Sequence, residues 1–323
     1  MAWSFGIRTG GMRRSLLLAA AILVAWGATA CTTMKNAAQG TAEAVGDTSR
    51  KVVEAVTPGG GARVRHTVAV IGMESQFGPA RIGFDGHFAS AMTGRLSSDC
   101  RDLLIDESAG GLLSSPPLLP SGRIDSFGLG ALGRPRGLGY FVVGTLNGLA
   151  FRDEKKGFWL WKGTRYTLRV TMRLEIVDSA TGTKLLDEPF VNEIELDENR
   201  YEILKAAPVP SLAEISQPLE RILRDAAKRT CAALKEKPWQ GFVTEAGNGR
   251  LVLSTGSAAG LAAGTRLEVF GPGQLMQSKD GQRFFKPGAK VGEAEVTSVA
   301  ADRAEALLAR PQPNLAGGVV RLK

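Results

Sequence analysis

Few side chains in this chain are of a type that could do covalent or acid–base chemistry, and their spacing decides how they read. Two histidines occur, His66 and His87. His87 lies between Asp85 and Phe88 on an expected helix, where a surface or packing role accounts for it. Asp153 with Glu154, and Asp187 with Glu188, are the adjacent carboxylates that could divide general-acid and general-base work. Neighbours on a strand point to opposite faces, so neither pair shares one substrate well. HExxH, CxxC, GxSxG and GxxxxGK[ST] do not occur. Gly128 to Gly133 formally spells GxGxxG, but no strand precedes it to open into a helix. The chain reads as non-enzymatic, with no metal and no cofactor.

The three cysteines say more: Cys31, Cys100 and Cys231. Cys31 follows "VAWGATA", which ends an apolar run, Ser15 to Trp26, preceded by Arg8, Arg13 and Arg14. That run is shorter than the ~20 residues a membrane-spanning helix needs, so residues 1–30 read as a signal peptide. Ala28-Thr29-Ala30 fits a secretory cleavage site and also resembles a lipobox, and both cut before Cys31. Acylation of Cys31 leaves an even pair for an oxidising compartment, whereas a free Cys31 leaves an odd thiol. The lipoprotein is the expectation, and a soluble periplasmic protein with a free Cys31 is its rival. Cys100 and Cys231 either meet, if their helices cover one face of a sheet, or remain separate thiols. A bridge would close a loop of about 130 residues.

Removing residues 1–30 takes away three arginines and no acid, so the net charge falls from +8 to 8 − 3 = +5. Lysine and arginine are scattered, with no block of five or six like charges, which excludes a nucleic-acid footprint. Residues 31–63 read as the lipidated cysteine and a tether, rich in Gly, Ala and Thr, spanning roughly 30 Å if flexible.

Elements must position whatever surface does the work. "HTVAVIGM" from His66 is a buried strand, and Phe84, Phe88, Met92 and Leu96 mark one helix face. "RDLLIDES" returns to strand; Ala109 to Gly139 has no period and reads as a long loop. "GYFVVGTLNGLAF" is a strand. "RYTLRVTMRLEIVD" alternates without a break, with Tyr166 through Ile176 on one face and Arg165, Arg169 and Arg173 on the other. A helix follows over about Ser211 to Lys235, with Pro218 expected to kink it or mark a boundary. Beyond "EKPWQG", five or six short strands, with a hairpin at Asn248-Gly249, predict a small barrel. The fold class is α+β, with an α/β domain over residues 64–236 and an all-β barrel over 237–323.

"GFWLWKG" places Phe158, Trp159 and Trp161 within four positions. It reads either as a hairpin arm touching a partner or lipid headgroups, or as a local core cluster. Arg165, Arg169 and Arg173 could meet an acidic partner, or simply keep the sheet soluble.

The order "HTVAVIGM", helix, "GYFVVGTLNG", "RYTLRVTMRLEIVDSATGTKLL", helix resembles the domain shared by the TolB amino-terminal region, the curli secretion lipoprotein and flagellar assembly protein T. "WQGFVTEAGNGRLVLSTGSAAGLAAGTRLEVF" is similar to the carboxy-terminal SH3-like barrel of the last of these. The resemblance covers residues 66–323 and implies a TolB-N-like α/β sandwich followed by an SH3-like barrel, with no catalytic residues. It also implies a periplasmic role in building rings at the flagellar motor. The chain departs from that relative in its lipid anchor and in leaving no room for an additional amino-terminal domain.

The expected protein is therefore a lipoprotein anchored to the outer membrane of a Gram-negative bacterium. Its partners are envelope proteins of a flagellar ring or secretion system, and further copies of itself in a homo-oligomeric ring. Alternatives are a regulator docked on a cell-wall synthase or secretion channel, and a curli-type pore. A pore needs two amphipathic hairpins per subunit, and only residues 151–176 could supply one.

Overall fold

The computed structural model describes residues 63–74, 82–108, 115–157, 163–207, 210–279 and 281–323. Strand β1 (His66–Glu74) is the centre of a parallel trio, flanked by β2 (Leu103–Ile105) and β3 (Tyr140–Lys156). Strands β4 (Gly163–Asp178) and β5 (Thr183–Leu196) continue the sheet antiparallel, giving the order β2-β1-β3-β4-β5. The uninterrupted alternation of β4 explains its place. Leu168, Val170, Met172, Leu174 and Ile176 are all fully buried on one face.

That face is covered by two helices, α1 (Phe84–Asp99) and a 24-residue helix whose range, Leu212–Lys235, follows the sequence expectation closely. Phe84, Phe88, Met92 and Leu96 of α1 are fully buried, as their spacing of four requires. The α1 N-terminus is closed by Glu74, whose carboxylate accepts from the Phe84 and Ile82 amides at 2.6 and 3.1 Å. Between β5 and the long helix lies a short helix that the sequence reading passed over, α3 (Glu198–Ala206); its N-cap Asp197 accepts from the Arg200 amide at 2.8 Å. The long helix is thus α4. It begins with a capping box, Ser211 and Glu214, and runs unbroken through the buried Pro218. The expected boundary is absent: Pro218 falls in the second turn, where only the Glu214 carbonyl loses its donor, and the helix continues.

The expected long loop over 109–139 needs correction as well. It contains helix α2 (Ser126–Gly133) and a 3-10 turn (Arg134–Arg136), which cover the opposite face of the sheet. Leu129 packs there with Ala69, Ile71, Phe141, Val143 and Val177. Glycine hid this helix by erasing its period, and glycine is also what lets it pack. A Cβ at Gly133 would sit 2.7 Å from the Phe141 ring, and one at Gly130 would sit 3.1 Å from the Gly182 backbone.

The remaining strands close a barrel in the order β11-β12-β7-β6-β13-β8. They are β6 (Gln240–Gly247), β7 (Arg250–Leu253), β8 (Arg266–Phe270), β11 (Lys290–Val299), β12 (Ala304–Leu308) and β13 (Val319–Leu322). Asn248 and Gly249 both take positive φ between β6 and β7, as a two-residue hairpin turn demands. The barrel holds its own core, with Leu251, Leu253, Leu267, Val269 and Val320 buried. A separate hairpin, β9 (Gln274–Gln277) with β10 (Arg283–Lys286), leaves the barrel and lies against the α2 side of the sheet. There Phe285 stacks on Phe127 at 4.9 Å, and its amide donates to the Thr181 carbonyl at 2.8 Å.

Candidate functional site

The parallel strand β1 stops pairing with β3 at Leu146, yet β3 runs on to Lys156 with β4 beside it. Residues 147–156 of β3 thus form an arm about 33 Å long, at ~3.3 Å per residue. β5 pairs with β4 along most of that length, as far as Tyr166 opposite Leu196. One face of the arm is pinned by α3. Tyr201 is buried against Phe151 and Tyr166, with ring centroids 5.9 and 4.6 Å away. The Tyr201 and Tyr166 hydroxyls reach Asp153 and Glu198 at 3.2 and 3.0 Å.

The other face carries Arg165, Arg169 and Arg173, and each meets a carboxylate across the strand. Arg165 faces Glu195 at 3.2 Å, Arg169 faces Glu193 at 2.8 Å, and Arg173 is bonded to Asp187. Their charge is therefore largely matched within the sheet, which weakens an acidic partner as the reason for them. Between these pairs the face is bare, with Ala150, Pro189 and Val191 exposed. Phe158, Trp159 and Trp161, which lie between β3 and β4 in sequence, fall outside the described residues, as does Cys31.

At the base of the arm the pairing tightens into a network. Lys184 bonds Glu175 and lies 3.1 Å from Asp187, while Arg123 approaches both carboxylates at 3.9 and 3.8 Å. Glu175 is nearly fully buried. Arg173 and Lys184 together hold the Asp187 carboxyl below its usual range against the opposing effect of its burial. Asp187 and its neighbour Glu188 do face opposite ways: Glu188 receives Arg229 of α4 at 2.6 Å. The sequence marked Arg173 only as an outward position. Glu175 shares that outward face and is nonetheless buried, through tertiary packing that no periodicity records.

This network borders a cavity of about 980 Å³ at the carboxyl end of β1, where β3 outruns it, also lined by Glu74, Asp85, Thr145 and Asn147. β1 sends its chain to α1 on one face, and β2 sends its chain to α2 on the other, so the cavity lies at a topological switch point. Its carboxylates are engaged: Glu74 caps α1, and Glu175 is held by Lys184. Among the described residues no group of three His, Cys, Asp or Glu side chains could hold a metal ion.

Cys100, at the end of α1, is joined to Cys231 of α4, with Cα atoms 5.6 Å apart. The helices that cover one face are thus tied to each other. His87, on α1, approaches Glu220 of α4 at 3.9 Å.

Fold and site together define an α+β protein with a closed six-stranded barrel and a long three-stranded arm. No protein-family model matches the chain, and no curated protein does. Among solved structures it is similar to the hypothetical protein CT253 from Chlamydia trachomatis, at 14% identity and a TM-score of 0.31, over 54% of this chain and 99% of that one. It is also similar to a minor lipoprotein from Acinetobacter baumannii, at 12% identity and a TM-score of 0.26, over 53% and 93%. A third is lipoprotein GNA1162 from Neisseria meningitidis, at 13% identity and a TM-score of 0.24, over 48% and 99%. At such scores nothing about this chain's role follows from them. Among the described residues no helix is long and apolar enough to cross a membrane.

Proposed function

We propose that the chain is a non-enzymatic lipoprotein of the bacterial envelope, acylated on Cys31 and held at the outer membrane. In this reading a TolB-N-like half and an SH3-like barrel serve as a structural component of an envelope machine, the flagellar basal body first among them. The observation that carries it is the arm. A ribbon that outruns the parallel sheet by residues 147–156, pinned on one face and bare on the other, is built to be held by another protein. Its cross-strand ion pairs keep the bare face from pairing indiscriminately and leave Val191, 46% exposed, as its apolar foothold.

A photo-crosslinking residue at Val191, used in living cells, tests the reading. The expected result is a discrete adduct with a flagellar ring protein and loss of swimming on deletion. An adduct with a cell-wall synthase or secretion channel, with swimming intact, transfers the same arm to a regulatory role. Absence of any adduct, together with an unacylated Cys31 by mass spectrometry, overturns the proposal.

A further inference from the structure

A second cavity, of about 450 Å³, lies at the other end of the sheet, where the chain enters β1. Three parts of the fold meet there: the entry segment with Arg63 and His66, the end of α4 with Lys235 and Lys237, and the barrel with Arg266 and Lys323. The lining side chains carry five cations, Arg63, Lys235, Lys237, Arg266 and Lys323, against one carboxylate, Asp102. Two of the five are matched: Arg63 to Asp102 at 2.9 Å, and Lys323 to Glu293 at 2.7 Å. Lys235, Lys237 and Arg266 have no carboxylate within ion-pair distance among the described residues. The α4 carbonyl end favours a cation at Lys235, but it explains neither Lys237 beyond the helix nor Arg266 on β8. Like charges from separate elements repel across a concave wall unless an anion lies between them. Trp239, buried beside them, supplies a firm side to the cavity.

The entry segment at the mouth of this cavity is fixed to the barrel. The Arg65 amide donates to the Ala259 carbonyl at 2.7 Å, and its guanidinium donates to the Ala258 carbonyl at 2.7 Å. The chain leading back toward Cys31 therefore leaves from the cavity's edge at Arg63.

We propose that this cavity is a site for a phosphate-bearing group, held by Lys235, Lys237 and Arg266. Lysine binds phosphate as a point charge, and arginine adds a fork for two oxygens. The same chemistry is offered by a phospholipid headgroup and by a soluble phosphate. The lipid source rests on the proposed anchoring, because the chain toward Cys31 leaves from the cavity's edge; the site itself does not.

The test uses the processed chain with Cys31→Ser, so that no acyl chain contributes to binding. A triple variant, Lys235→Gln with Lys237→Gln and Arg266→Gln, is compared with a charge-matched control, Lys279→Gln with Lys286→Gln and Arg310→Gln. The probes are inorganic pyrophosphate by calorimetry, and vesicles of equal parts phosphatidylglycerol and phosphatidylcholine by flotation. The site variant is expected to bind roughly 100-fold more weakly to its source, with the control within a factor of a few. Loss confined to vesicles assigns the headgroup; loss confined to pyrophosphate assigns a soluble ligand and leaves the anchoring reading to be judged on Cys31 alone. Equal loss in both variants, or no binding of either probe by the unsubstituted chain, overturns the proposal. Thermal unfolding of both variants separates a binding defect from a folding one.

Discussion

The Arg134 guanidinium lies 3.8 Å from the centroid of the Phe285 ring, and in this contact the sheet meets the barrel's outlying hairpin. The same guanidinium donates to the Ser179 carbonyl at 2.9 Å and to the Ala180 carbonyl. The Arg134 carbonyl in turn accepts from Ser254 of the barrel at 2.9 Å, and Gln240 reaches Asp178 at 2.6 Å. One residue thus closes a turn of the sheet and carries the hairpin on its flat face. Arg134→Ala should cost about 3 kcal/mol, from the lost ring contact and two orphaned carbonyls. Arg134→Lys should fall between, keeping the charge but not the fork. Urea unfolding gives the magnitude, and faster proteolysis of the link around residue 237 would show that the loss is at the seam.

The ion pairs of the arm differ in depth, and their worth should differ accordingly. Arg169 and Glu193 are 36% and 42% exposed, so Arg169→Met should change stability by less than about 0.5 kcal/mol. Glu175 is 5% exposed, and Lys184→Met would leave it only the more distant Arg173 and Arg123. That substitution should cost about 2–3 kcal/mol, because a buried charge is left poorly matched. Equal denaturant midpoints for the two variants would refute this ordering.

The Cys100–Cys231 bridge spans 131 residues and ties α1 to α4, the two helices that cover one face of the sheet. In the chain-entropy account, Cys100→Ser with Cys231→Ser should destabilise by up to about 5 kcal/mol. Denaturant titration of the double variant, beside the wild type with and without reductant, checks it. Reductant should lower the wild type to the level of the variant and leave the variant unmoved.

How far the sequence foretold these features depended on side-chain periodicity. β4 was legible because its six inward apolar residues alternate without a fault, and α1 because Phe84, Phe88, Met92 and Leu96 repeat every fourth position. α2 was not, because close packing on Phe141 requires glycine, and glycine carries no hydrophobic signal. The ends of the sheet were equally silent. Lys235, Lys237 and Arg266 come from distant parts of the chain, so their convergence exists only after folding. Arg134 reads as one more exposed cation beside a proline until the barrel hairpin is laid over it.

His66 offers a pH test. It is buried, and burial holds its imidazole below the ordinary value of 6.5, against weaker opposing effects of its hydrogen bond to the Lys237 backbone and of Asp102. Between its folded value and 6.5 the unfolded chain binds the extra proton and the folded chain does not. Stability from this group is therefore full above 6.5 and falls as pH drops through that window. Denaturant midpoints at roughly pH 7.5 and roughly pH 5.5 should show the fall, and His66→Gln should flatten it. A slope unchanged in that variant would assign the effect to the carboxylates.

Two glycines in helices should respond to alanine with opposite signs. Gly94 lies in α1 with nothing within 4 Å of the position a Cβ would take. Gly94→Ala should therefore stabilise by up to about 1 kcal/mol, through lower backbone entropy in the unfolded chain. Gly133 ends α2 where a Cβ would come within 2.7 Å of the Phe141 ring and 2.8 Å of the Ser179 hydroxyl. The same helix-propensity gain is available there, but the helix must lift off the sheet to take it. Overpacking of that kind typically costs about 1–3 kcal/mol, so Gly133→Ala should be a net loss. Because Ser179 and Ala180 also hold Arg134, the displacement should carry into the seam with the barrel. Thermal melts of Gly133→Ala in the Arg134→Ala background should then show less than additive loss, whereas Gly94→Ala should add independently to either.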